Sequence, residues 1–133
     1  MQKLKDMAHI ERKKSVRNSM HDTRRKRMDE PIIVSTALTE RHDAERLARL
    51  LLEDKLIACA QILGPGQSLY WWQGKIEETP EIYLFLKTDR SLFKRVEQRI
   101  KAEHPYQVPE IVATPVIEGN SDYLAWMKGE LSK

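Results

Sequence analysis

An imidazole and a carboxylate stand six positions apart in His104-Pro105-Tyr106-Gln107-Val108-Pro109-Glu110. That pair suits Cu(II), Zn(II) or Ni(II), with affinity peaking at Cu(II), but two ligands need a third from water, a neighbouring subunit or Cys59. The connector between them is stiff. Each proline fixes its own φ and pushes the residue before it out of the α region, so His104 and Val108 are held extended and no helix continues past His104. Both end residues also have structural readings. An imidazole at a helix C-terminus complements the negative end of the dipole. A loop carboxylate such as Glu110 accepts backbone N–H groups or pairs across a subunit interface.

Enzymatic chemistry finds little support. No serine with a positioned histidine and acid is indicated, and neither CxxC, HExxH nor a GxGxxG or GxxxxGK loop occurs. With 5 glycines in the whole chain, a loop that cradles phosphate is not expected. Cys59, inside an apolar run, reads as a small buried hydrophobe. The expectation is a binding protein and not an enzyme.

The elements that must carry the connector are legible from residue 31 onward. Pro31 to Ala37 is apolar and β-branched, as in a central strand buried on both faces. Ala44, Leu47, Ala48, Leu51 and Leu52 then follow the spacing of an amphipathic helix within Thr39 to Lys55, with Thr39 or Asp43 as its cap. Leu56 to Leu63 reads as a strand stopped by Gly64-Pro65-Gly66, a turn or bulge cluster. Ser68 to Gln73 is aromatic and extended, Gly74-Lys75 turns it, and Ile76 to Thr88 returns as the second arm of a long hairpin. Leu92, Phe93, Val96 and Ile100 mark a second helix ending at His104-Pro105. Ile111 to Ile117 is a strand in which Pro115 argues for an edge position or a bulge. A short helix with Leu124, Met127 and Leu131, capped by Ser121 or Asp122, closes the chain. This order predicts an α+β fold of the ferredoxin-like split βαβ kind, with both main helices on one face of an antiparallel sheet. The other face must be covered, and Tyr70-Trp71-Trp72, with Tyr83 and Phe85 across the hairpin, is more apolar surface than a small monomer exposes. A closed homo-oligomer follows, since open strand edges invite pairing with another chain.

Composition agrees with one globular domain: 133 residues, 41% hydrophobic and 32% charged. Residues 1–30 carry ten Lys and Arg against five Asp and Glu, leaving 13 and 15 of the chain's 23 and 20 for residues 31–133, so +5 sits on the leader and −2 on the body. The basic N-terminal extension 1–30 is expected to be flexible or partly helical, and residues 31–133 to be the domain. Nucleic acid is an expected partner only through that extension, because the body would repel phosphates. The apolar-leaning run from Leu56 to Tyr70 is broken by Gly64-Pro65-Gly66, short of the about 20 residues of a membrane span. A single cysteine and no secretory signal pattern favour the cytoplasm.

Four motifs in order, Ser68-Leu69-Tyr70-Trp71-Trp72-Gln73-Gly74, Leu86-Lys87-Thr88, His104 to Glu110 and Gly119 to Trp126, resemble the CutA divalent-cation-tolerance proteins over residues 31–131. The resemblance implies a homotrimer of ferredoxin-like protomers, in which hairpins pair between subunits in a PII-like architecture. It also implies binding of copper and other divalent ions and a role in the response to metal ions. Of the family's proposed ligands, the histidine before Pro-Tyr and the glutamate after the second proline carry over as His104 and Glu110. The family cysteine aligns with Ser35, so the soft thiolate that favours Cu(I) is replaced and the expected affinity is modest. The alternative is a PII-like trimeric signalling or scaffold module that binds a small anion or partner protein at a subunit cleft lined by Ser35, Lys87, Tyr106 and Trp72.

Overall fold

The computed structural model describes residues 28–133; the expectations for residues 1–27 lie outside them. The elements run β1 (Pro31–Leu38), α1 (Arg41–Glu53), β2 (Cys59–Trp72), β3 (Lys75–Asp89), a 3-10 turn (Arg90–Leu92), α2 (Phe93–Glu103), β4 (Val112–Pro115) and α3 (Ser121–Leu131). The four strands form one antiparallel sheet in the order β2-β3-β1-β4. This is the α+β split βαβ arrangement expected from the sequence, with an extended hairpin and a short C-terminal helix.

Burial follows the pleat. On one face Ile32, Val34, Thr36 and Leu38 of β1 and Ile82, Leu84, Leu86 and Thr88 of β3 are all buried. The apolar ones share a cluster with Ala44, Leu47, Ala48 and Leu51 of α1 and Val96 and Ile100 of α2, so both main helices cover that face. Arg46 to Glu103 (2.9 Å) and Arg99 to Asp54 (3.3 Å) tie the two helices together on the outside. The expectation that β1 is buried on both faces is corrected: Pro31, Ile33 and Ser35 on the second face are only half-buried. Neither main helix lies there. What does reach the second face is α3, whose Tyr123 meets Lys87 of β3.

The hairpin departs from expectation in an instructive way. Gly64-Pro65-Gly66 does not stop a strand. It is a bulge inside one continuous β2, with pairing Leu63 to Tyr83 on one side and Gly66 to Glu81 on the other. Three steps along β2 match two along β3, so the parity of β2 flips at this point. Gly64 at φ 123° occupies a conformation that L side chains avoid, and a side chain at Gly66 would collide with the Tyr83 ring. The turn is Gln73-Gly74, both at positive φ, and not Gly74-Lys75, because Lys75 pairs with Trp72. Tyr83 and Phe85 therefore face Leu63 and Gln61, while Trp71 faces Ile76.

Caps also moved. Glu40, without a side-chain bond, precedes α1 in place of Thr39 or Asp43. Asn120, and not Ser121 or Asp122, caps α3 by accepting from the Asp122 and Tyr123 amides at 2.9 and 3.2 Å. The last strand is shorter than Ile111 to Ile117 and is an edge, as Pro115 requires.

Candidate functional site

His104 is the C-cap of α2, extended at φ −78° and ψ 135°, the conformation that Pro105 imposes. Its side chain turns inward and is only 8% exposed. Nδ1 accepts the Tyr106 amide at 3.1 Å, which fixes the tautomer and leaves Nε2–H to donate to the Ala37 carbonyl at 2.8 Å. Burial lowers the His104 pKa below the ordinary 6.5, against the opposing pull of the Ala37 bond and of the Glu81 and Asp43 charges. The ring is therefore neutral at pH 7. The dipole reading, which needs a charged imidazolium, is not what this geometry serves.

Tyr106 continues the cluster. Its ring packs edge-on against His104 at 4.7 Å between centroids, and its hydroxyl donates to Glu81 Oε2 at 2.8 Å. Burial first, and then the Glu81 carboxylate, push the phenol above its usual range. Glu81 is a buried carboxylate at the point where the hairpin leaves the sheet, opposite Gly66. Sequence reading missed it. The available signal was an acid directly before the apolar run Ile82 to Leu86, at the level of the glycine cluster.

Glu110 is exposed just before β4. Among the described residues no group of three His, Cys, Asp or Glu side chains could hold a metal ion by itself. Cys59 is half-buried and pairs with Lys87 across β2 and β3, away from the His104 end of β1. Within one protomer the pair His104 and Glu110 is thus an inward imidazole and an outward carboxylate on one connector, with further ligands required from water or another copy.

The four expected cleft residues fall on the second face but do not form one pocket in a protomer. Ser35 and Lys87 are diagonal neighbours on β1 and β3. Tyr106 sits further along, at Glu81. Trp72 pairs with Lys75 at the hairpin tip, and at about 3.3 Å per residue it lies roughly 40 Å along the strand from Lys87. No helix among the described residues is long and apolar enough to cross a membrane.

Comparison with known proteins agrees with this architecture. The chain is 43% identical over 102 residues to the divalent-cation tolerance protein CutA of Pyrococcus horikoshii, an alignment spanning 77% of this chain and 99% of that protein. The crystal structure of CutA1 from Oryza sativa superposes with a TM-score of 0.74 at 37% identity, covering 76% of this chain and 93% of that one. The divalent cation tolerance protein from Thermus thermophilus gives 0.73 at 39%, covering 75% and 97%. The family described as the CutA1 divalent ion tolerance protein matches residues 32–130, and the chain belongs to it.

Proposed function

We propose that the protein acts in divalent cation tolerance as a cytoplasmic homotrimer that binds a divalent ion, Cu(II) foremost, through His104 and Glu110, and that it is not an enzyme. The observation that carries the metal reading is the Nε2–H bond from His104 to the Ala37 carbonyl. Metal-ligating histidines are held in this way by a carbonyl or carboxylate on the second nitrogen, which aims the other lone pair. Here that lone pair is on Nδ1, in a ring that burial keeps neutral. It is met only by the Tyr106 amide, at 3.1 Å, and a transition ion is the stronger partner for it. Glu110 supplies an anionic oxygen at the other end of the connector, and Ser35, at the position of the family cysteine, supplies no thiolate. Ion binding is therefore modest in affinity and of the Cu(II), Zn(II), Ni(II) type.

The homotrimer is supported by the hairpin tip. Leu69, Trp71 and Ile76 are exposed, and beyond Ile82 β3 pairs only with β2, so both edges of the ribbon are open. Titration calorimetry of Cu(II) and Zn(II) into wild type, His104→Ala and Glu110→Gln tests the site. The expected result is a saturable heat that disappears in His104→Ala and weakens in Glu110→Gln. Three superimposable curves would remove the site.

A further inference from the structure

Tyr106 is held at two points, and the chain directly after it is held at none. Its amide donates to His104 Nδ1 at 3.1 Å, and its hydroxyl donates to Glu81 Oε2 at 2.8 Å. Between those bonds its ring lies edge-on against the imidazole, which it helps to shield from solvent. Gln107, Val108 and Glu110 are exposed, and among the described residues no hydrogen bond ties any of them before β4 begins at Val112. The connector is thus a strap fastened at Tyr106 and unfastened beyond it.

The fastening closes the same atom that ion binding needs. A neutral imidazole has one acceptor nitrogen, here Nδ1, and its lone pair serves either the Tyr106 amide or another partner. The amide and the hydroxyl belong to one residue, so whatever holds the ring also holds the amide on Nδ1. What holds the ring is a buried carboxylate of an unusual kind. The described residues include two buried acids, Glu81 and Asp89. Asp89 accepts three hydrogen bonds, from the Glu30 amide at 2.7 Å, the Ser91 amide at 2.9 Å and the Ser91 hydroxyl at 2.7 Å, and fixes the corner between β3 and α2. Glu81 accepts one, from Tyr106, at the root of the hairpin. A charge-assisted bond is strong enough to bias the connector, and a single bond can be released without dismantling a network.

We propose that Glu81 is a positioning residue that acts through Tyr106: their bond latches the connector over His104 Nδ1 and so limits the access of an ion to that nitrogen. This latch rests on the reading of His104 as an ion ligand and adds regulation to it. The connector has a closed form, with the Tyr106 amide on Nδ1, and an open form in which Nδ1 is available. An ion takes only the open form, so the apparent affinity is the intrinsic one multiplied by the open fraction, and weakening the closed form strengthens binding in proportion. Removing the Tyr106 hydroxyl therefore tightens ion binding. A tyrosine that only packs or only supports the site gives no change or a loss.

Two measurements on the full chain test this: amide hydrogen exchange at residue 106 without any ion, and calorimetric titration with Zn(II) and Cu(II). Exchange at residue 106 is expected to be about tenfold faster in Tyr106→Phe than in wild type, with both ions bound about five- to tenfold more tightly, the scale of one hydrogen bond to a charged acceptor. Glu81→Gln keeps a neutral acceptor and should move both readings the same way by a few-fold. Leu84→Ala, which loosens the core elsewhere, should bind the ions as wild type does. Unchanged or weaker ion binding in Tyr106→Phe and Glu81→Gln, beside a wild-type heat that His104→Ala abolishes, would overturn the latch and leave the ion site standing. If wild type shows no heat that depends on His104, the ion site fails by itself and exchange decides the latch: faster exchange at residue 106 in both variants supports it, and unchanged exchange overturns it. Should Tyr106→Phe fail to fold, Glu81→Gln carries the same reading, and wild-type exchange and affinity in that variant would overturn it.

Discussion

The two halves of the hairpin are built alike and finished differently. At its base Ile82, Leu84 and Leu86 are 3%, 0% and 0% exposed beneath α1 and α2; at its tip Leu69, Trp71 and Ile76 are 58%, 72% and 61% exposed. These residues belong to one face. Ile76 has the parity of Ile82 along β3, and the bulge between Leu63 and Gly66 brings Leu69 and Trp71 onto that side of β2. Without the extra residue they would point to the opposite face. The chain therefore continues its core surface past the point where its own helices end. A two-stranded ribbon is marginal in water by itself, and an exposed apolar surface of this kind marks a contact site.

The largest effect that separates base from tip is expected in matched truncations. Leu84→Ala removes a fully buried side chain and should cost about 2–5 kcal/mol in urea denaturation. Trp71→Ser with Ile76→Ser should leave the protomer's far-ultraviolet spectrum as it is and shift sedimentation towards the monomer, with stability then independent of protein concentration. If the tip pair instead unfolds the protomer as Leu84→Ala does, the ribbon is part of the protomer's own core and the contrast between the halves fails.

How far each half could be read in advance follows the same division. The base was legible because strand alternation and helix spacing both report burial against elements of the same chain: Ala44, Leu47, Ala48 and Leu51 predicted the covering helix, and Pro105 predicted where α2 ends. The bulge was legible only as one of two readings, because Gly64-Pro65-Gly66 equally has the composition of a turn, and only pairing with β3 decides that the strand runs through it. At the site, proline chemistry fixed the extended backbone of His104. The partners of its two nitrogens were out of reach, since Ala37 lies 67 positions away. Glu81 was hidden for the same reason: its hydrogen-bond partner, Tyr106, lies 25 positions away. The caps failed because Asn120, Ser121 and Asp122 are chemically interchangeable as acceptors, and a shift of one residue selects among them.

A second contrast separates the base by pH. His104 is held below 6.5 in the folded chain, so between that lowered value and 6.5 the unfolded chain takes up a proton that the folded chain refuses. Stability is full above 6.5 and declines as the pH falls through this window. Urea midpoints on either side of 6.5 should show the decline in wild type and a smaller one in His104→Asn. A slope unchanged in the variant would assign the pH dependence to other groups. The tip carries no buried titratable group of this kind, so the tip double variant should retain the wild-type slope.

The smallest effects come from one chemical change made in both halves, the removal of a tyrosine hydroxyl. At the base, Tyr106 donates to Glu81 Oε2, and Tyr106→Phe leaves a buried carboxylate oxygen without that donor, a loss of about 1–3 kcal/mol. At the tip, Tyr70 and Thr79 share a bond of the same 2.8 Å length, but both groups can turn to water, and Tyr70→Phe should cost no more than a few tenths of a kcal/mol in a monomer. Bond length is equal in the two cases, and burial together with the charge of the Glu81 acceptor separates the costs. In an assembled particle the Tyr70→Phe cost should rise towards the Tyr106 value if another copy dries the ribbon. Measuring Tyr70→Phe at protein concentrations above and below the dissociation midpoint therefore reports whether the tip acquires a core when it is covered.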